Sequence, residues 1–344
     1  MNIPDASALV EQLRDLHEGP RHLAAVVAAG DAAVPWLERF LRGPSQSVEQ
    51  PRCLAADALG LIGTGEAVDV LLRALADSTT RRLEPVLDHA EYVVINSIAE
   101  NLGSCRDGRV AHALIEALCA RAYPEAVRAL ARLGDADAIP VLVERLHADV
   151  TREAALDALR GFPVELVRPH LVAAVTAGPT PGETERTDRA WGRAAACTLL
   201  GEVGGGASAL RHALTDPSND VQVAAALAVG TSCDWGDDVL RILVNALQTA
   251  DWQRADDVQA ALVGAGSRAV PSLEQAFDGA PRTPRTLRQR SRIIETVRRI
   301  ASPDATEALA RMDDRPSAPG ADGHVSVTRR PLRWFECRRL RRPA

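Results

Sequence analysis

Apolar positions return along the chain in two alternating forms. In PRCLAADALGLIGTGEAVDVLLRALAD, residues 51–77, a run of alanine and leucine closes on a glycine, and after a short turn a second run carries leucines four apart. Apolar spacing of i, i+3, i+4 and i+7 predicts amphipathic helices, here two of them joined as a hairpin. The face carrying Leu54, Ala58, Leu61 and Ile62 must be covered by something outside the first helix. The same outline returns as PRHLAAVVAAGDAAVPWLERFL from Pro20, as YPEAVRALARLGDADAIPVLVERLHAD from Tyr123 and as ADDVQAALVGAGSRAVPSLEQAF from Ala255.

Aligned on the first leucine of the second helix, the copies give nine anchors: Leu37, Leu71, Leu114, Leu142, Leu171, Leu210, Leu243, Leu273 and Leu309. The eight steps between first and last average 34 residues. Four positions after the anchor stand Leu41, Leu75, Leu118, Leu146, Val175, Leu214, Leu247 and Phe277, and only Asp313 breaks the series. Gly30, Gly63, Gly103, Gly134 and Gly266 follow the first helices, where a left-handed residue ends a helix. Pro35, Pro140, Pro169 and Pro271 stand two before an anchor, where a first-turn proline gives up no helical hydrogen bond. One such hairpin cannot bury its own stripe, so neighbours must stack into a continuous core. The expected fold is all-α: a right-handed α-solenoid of about nine hairpins over residues 20–314, with a capping helix in 1–19 and a disordered tail in 315–344.

The units at 55–75 and 126–146 resemble the short bacterial HEAT-like repeat of the phycobilisome-lyase type, A-x-x-A-L-G-x-L-G followed by A-I-P-x-L-x-x-x-L. The resemblance reaches over about residues 20–314. It implies that second helices line a concave surface, and that the architecture serves interaction scaffolds, assembly factors and a few enzymes. Deoxyhypusine hydroxylases, di-iron enzymes on similar repeats, carry recurring His-Glu pairs; His17-Glu18 is the one such dipeptide here, so that chemistry is not supported.

Composition narrows the classes. Aromatics are 3% and every one of the 40 basic residues is arginine, which reads as GC-rich coding bias around an aliphatic, alanine-rich core. The start MNIPDASALVEQL lacks a basic end and apolar block, and no apolar run could span a bilayer, so a cytoplasmic location is expected. Cys53, Cys105, Cys119, Cys197, Cys233 and Cys337 form no CxxC and read as reduced, mostly buried thiols. Residues 315–344 hold eight arginines against Asp322 and Glu336, a net +6, leaving −12 on the preceding body.

Three stretches between units, 78–91, 178–190 and 279–290, read as inserted loops sharing one edge. Two residues past the anchors stand Arg39, Arg73, Glu116, Glu144, Ala173, His212, Asn245 and Gln275, a row that runs from basic through acidic to neutral and is no phosphate track. His112, His147, His170 and His212 fall in second helices at offsets that do not converge, so no metal is expected. Tyr92, Asn96 and Glu100, spaced by four, predict a polar stripe that a partner could contact. Trp191, Trp235 and Trp252 are candidate stacking residues or ordinary packing at unit ends, and Gly204 to Gly206 read as a flexible turn.

Arg329, Arg330, Arg333, Arg338, Arg339, Arg341 and Arg342, with Trp334 and Phe335 among them, form a cationic end suited to nucleic acid, acidic lipid or an acidic protein surface, the chain's own body included. No catalytic residue and no cofactor are assigned. The leading expectation is a non-catalytic scaffold holding a protein partner on a concave face that includes Arg39, Arg73, Tyr92, Asn96, Glu100, His112, Glu116, Glu144, His147, His212 and Asn245. The alternatives are an enzyme or enzyme subunit similar to the phycobilin lyases, with a ligand near Asn96, Glu116, Glu144 and His147, and a nucleic-acid protein using the tail or a HEAT-like DNA-repair mode.

Overall fold

The computed structural model describes residues 5–44, 48–81, 83–178, 188–249, 252–280 and 284–313. After a short α1 (Ala6–Glu11), the described residues form nine successive helical hairpins: α2 (Gly19–Ala28) with α3 (Val34–Leu41), α4 (Gln50–Ile62) with α5 (Gly65–Thr80), α6 (Pro85–Leu102) with α7 (Gly108–Ala120), α8 (Pro124–Leu133) with α9 (Ile139–Arg145), and α10 (Asp149–Arg160) with α11 (Val164–Thr176). The remaining pairs are α12 (Asp188–Val203) with α13 (Ala207–Ala213), α14 (Asn219–Gly230) with α15 (Asp237–Thr249), α16 (Trp252–Ala265) with α17 (Val270–Gly279), and α18 (Pro284–Ile300) with α19 (Pro303–Asp313). The fold is an α-solenoid with no strand among the described residues. First helices pack on first helices, α2 through α18, while α3 to α13 and then α15, α17 and α19 pack on one another in a second layer.

The anchor rule is what packs the two layers. The first eight anchors and their partners four residues on are all buried, so each second helix turns one leucine-rich edge inward. Truncating one of these leucines to alanine costs about 2 to 5 kcal/mol. In α19 the register slips by one: Ala308 and Met312 are buried, Leu309 is partly exposed, and the Asp313 mismatch disappears once the series is read from Ala308. Within α4 the face is broader than spacing alone predicts. Packed between α2 and α6 and over α3 and α5, α4 buries Leu54, Ala55, Ala56, Ala58 and Leu59, and Leu61 is left 63% exposed on the open side.

Punctuation is mostly as expected. Gly30, Gly63, Gly134 and Gly266 are left-handed, whereas Gly103 stays right-handed at φ −61°. Gly103 is small for a different reason: a Cβ there would lie 2.7 Å from the Ala129 Cβ of α8. Pro35, Pro140 and Pro271 open α3, α9 and α17, but Pro169 sits inside α11, which starts at Val164. Two of the expected inserts are largely helix, since α5 runs to Thr80, α6 begins at Pro85 and α18 at Pro284. Most of 178–190 lies outside the described residues. Gly204 to Gly206 are three consecutive left-handed residues that turn the chain tightly from α12 into α13.

Arginine does more here than reflect coding. Arg52 Nε donates to the Leu41 carbonyl at 2.9 Å, Arg152 Nε to Leu146 at 2.9 Å and Arg290 Nη1 to Phe277 at 2.7 Å. Each acceptor is the residue four after an anchor, at a helix end where the last carbonyls have no helical partner. A first-helix arginine therefore closes the preceding second helix in three units. Exposed arginine–carboxylate pairs also step from unit to unit, as in Glu38–Arg73, Asp69–Arg109, Arg160–Glu202 and Glu274–Arg311. Each contributes at most about 1 kcal/mol.

Candidate functional site

Ten of the eleven residues expected on a concave face divide into two groups, with His147 apart from both. Arg39, Arg73, His112, Glu116, Glu144, His212 and Asn245 are exposed on second helices. Arg73 is paired with Glu38, and His112 with Glu116 at 3.3 Å. Tyr92, Asn96 and Glu100 instead belong to the first-helix layer, on α6, and the first two are engaged in joints between units. Tyr92 Oη donates to the Ala122 carbonyl at 3.2 Å, and its ring stacks at 5.3 Å on Tyr123. Asn96 accepts from the Glu125 backbone N–H at 3.2 Å, capping α8, whose own Tyr123 makes no side-chain cap. Asn101 holds Asp57 at 2.8 Å. Glu100 offers its backbone carbonyl to Arg132 at 3.0 Å and leaves its side chain exposed.

Beneath this joint is a buried ion pair. Arg52 of α4 and Glu91 of α6 are 4% and 2% exposed and meet bidentately at 2.5 and 3.0 Å. A second such pair, Arg193 of α12 with Asp216 at 3.0 and 3.2 Å, ties α12 to the turn before α14. Asp216 also accepts from the Ser218 backbone N–H at 2.8 Å. In both knots the guanidinium and the carboxylate face each other, which suits a joint and leaves little of their charge for a partner.

His147 stands just past α9, not within it. With Glu144 and His170 it lines a recess of about 300 Å³ that Arg189 and Arg193 complete. Its Nδ1 lies 3.2 Å from the Arg189 carbonyl, and its ring packs against Gly192, where a Cβ would overlap it. Burial pushes His147 below the ordinary histidine range, and the nearby Glu144 opposes that only partly. No cluster of three or more metal-ligating side chains occurs among the described residues.

The cysteines are less buried than composition suggests. Cys197 is buried, Cys53 and Cys105 are intermediate, and Cys119 and Cys233 are exposed. Burial raises the Cys53 thiol to about 11 and the Cys197 thiol to about 12, so neither offers a thiolate at neutral pH. The tail arginines Arg329, Arg330, Arg333, Arg338, Arg339, Arg341 and Arg342, with Trp334, Phe335 and Cys337, lie outside the described residues. So does the Trp252 side chain, while Trp235 packs its ring on Gly230.

A groove lies where the polar row did not point, on the first-helix layer. With a volume of about 620 Å³, it crosses α10, α12, α14 and the start of α16. Its floor is small or aliphatic: Ala194, Ala195, Gly201, Ala224, Leu227 and Ala228. At its base Gly201 lets α12 and α14 approach so closely that an added Cβ would lie 2.7 Å from the Ala228 Cβ. Asp149, Glu153, Glu202, Asp220 and Asp257 line the groove, against the single base Arg152. Trp191 stands among them, donating Nε1–H to Asp220 at 3.1 Å with Arg152 5.4 Å over its ring. Arg160, through two hydrogen bonds, holds Glu202 ionised below the usual carboxylate range. Glu153 and Asp257 make no ion pair among the described residues. Arg152 Nη2 is buried and has no acceptor there. In sequence this region reads as ordinary alanine-rich repeat; Trp191 was its one visible signal.

Residues 51–77 and 125–147, the cores of the α4–α5 and α8–α9 hairpins, match a family model described as PBS lyase HEAT-like repeat, so the chain carries repeats of that type there. No curated protein matches the sequence. Among solved structures, the chain is similar to the complex of CpcE and CpcF of phycocyanin lyase from Nostoc sp. PCC7120, with 21% identity, 69% of this chain and 92% of that one covered, and a TM-score of 0.34. It is similar to Kap121p at 14% identity, covering 89% of this chain and 38% of that one, with a TM-score of 0.51. It is also similar to human deoxyhypusine hydroxylase in complex with glycerol at 20% identity, covering 88% and 94%, with a TM-score of 0.28. The likeness to Kap121p shows a shared helical-repeat fold and nothing narrower. No described helix is long and apolar enough to cross a membrane.

Proposed function

We propose that the protein is a non-catalytic interaction scaffold that holds a basic, apolar-studded segment of a protein partner in the α10–α16 groove. The groove's pairing of a small-residue floor with a carboxylate rim carries this reading. The floor leaves room for one or two large side chains, each adding about 1.5 to 3 kcal/mol when buried, and the rim selects cationic neighbours and rejects acidic ones. The exposed second-helix row of Arg39, Arg73, His112, Glu116, Glu144, His212 and Asn245 then borders the solenoid's other layer, where further partner contacts would be of mixed charge.

The test is binding of a labelled helical peptide rich in arginine and leucine to the full chain, beside an acidic peptide of equal length, at low and high salt. The basic peptide should bind and weaken with salt. Thr198 of α12 also lines the groove, so Thr198→Trp, which fills it, should weaken binding at least tenfold with an unchanged melting curve. Equal binding of the acidic peptide, or indifference to Thr198→Trp, overturns the proposal.

A second reading, a ligand-handling subunit similar to the phycobilin lyases, is supported by the recess of Glu144, His147 and His170. A coloured or ligand-bearing protein after purification, losing its ligand in His147→Phe, would favour it.

A further inference from the structure

Resting on the groove reading above, we infer that the groove's resident occupant is the chain's own arginine-rich end, residues 329–344, docked within the same molecule. Two observations combine. The groove's lining holds five carboxylates and one arginine, and the body up to residue 314 carries −12 while residues 315–344 carry +6. The segment RRPLRWFECRRLRRPA sets Leu332, Trp334, Phe335 and Leu340 between its arginines, the large apolar groups that an alanine and glycine floor leaves room for.

The reach is sufficient. The intervening chain leaves Asp313 at the end of α19, one helix-to-helix step from α18, and three more steps lead back to α12 along the first-helix layer, about 40 Å in all at the usual 8 to 10 Å per step. The intervening residues 314–328 are rich in proline and glycine, and 15 residues extend to about 50 Å. A tether of this kind gives an effective concentration on the order of millimolar. An intrinsic affinity of only about 0.1 mM would therefore keep the groove about nine-tenths occupied. The tail then acts as a built-in competitor: a partner binds only if it outcompetes the tail, and the arginines need no nucleic acid to account for them.

The experiment uses the full chain with p-benzoylphenylalanine in place of Phe335, irradiated over a dilution series and read by mass spectrometry. A crosslink from position 335 to the groove-lining residues of α10, α12 or α14 is expected within single chains, independent of dilution. It should fall at least tenfold when Arg338, Arg339, Arg341 and Arg342 are all changed to Gln. Tryptic cleavage at Arg329 to Arg342 should also run at least tenfold slower in the wild type than in Thr198→Trp. Absence of the crosslink, a crosslink found only between two chains, or tail protection that needs added duplex DNA would each overturn intramolecular docking. The outcomes separate from those of the scaffold reading. If position 335 captures no groove residue while the basic peptide still binds the groove, only the self-occupancy falls; if the peptide fails as well, both fall.

Discussion

The stretch from α4 to α8 and the stretch from α10 to α16 use the same hairpin for opposite ends. In the first, polar side chains are dense and turned on one another: Arg52 on Glu91, Asn101 on Asp57, Asn96 on the α8 backbone, Tyr92 on the Ala122 carbonyl. In the second, the facing positions are alanine and glycine, the helices stand with an open trough between them, and the carboxylates sit around its lining. A polar stripe in a stacked-repeat protein marks a joint when units must hold a fixed angle, because buried polar atoms have to be satisfied by their neighbours. Room for a partner arises where side chains are missing.

The sharpest way to break this contrast is at the buried ion pair. Arg52→Ala should destabilise by about 3 to 5 kcal/mol in urea unfolding, since it strands Glu91 without its bidentate partner. The double change Arg52→Met with Glu91→Leu should recover most of that loss, and a double variant as unstable as the single would show that the joint depends on charge itself. Next in size is Gly201→Ala at the base of the groove. Its Cβ meets the Ala228 Cβ and backbone, so α12 and α14 must part, at about 1 to 3 kcal/mol of thermal stability. Unchanged stability would mean that the close approach is not what shapes the trough.

Asn96→Ala is the milder test of the joint. It removes the cap on the Glu125 N–H and should cost about 1 kcal/mol, with peptide binding in the groove unaffected. The smallest effect concerns pH. Burial lowers His147 in the folded chain, so the folded state resists its protonation and the unfolded state binds the extra proton. The stability that neutral His147 contributes is present above the ordinary histidine value of about 6.5 and declines as pH falls through it. His147→Gln should flatten that part of a pH–stability profile; an identical slope in both proteins would remove His147 from the account.

Much of the fold was legible because it is written in local terms. Eight of nine anchors and all eight of their apolar partners are buried as the period requires. The misreadings share one cause. Pro169 sits inside α11, Leu61 faces outward, Gly103 is right-handed and Leu309 cedes its place to Ala308, because each depends on which neighbour lies opposite and not on the spacing within its own helix. The candidate contacts divided on the same ground. Asn96 and Tyr92 announced themselves as polar, but whether a polar group faces a partner or another unit is settled by residues about 30 positions away.

The sequence by itself determined the number of hairpins, their helix pairing and the leucine edges that stack them, since period and helix-ending residues act over a few positions. Only the tertiary structure decided where the molecule is open. A cavity is an absence of atoms between helices, fixed by the approach of α12 to α14 at Gly201 and Ala228, and no run of alanines states on its own whether the space beside it is filled.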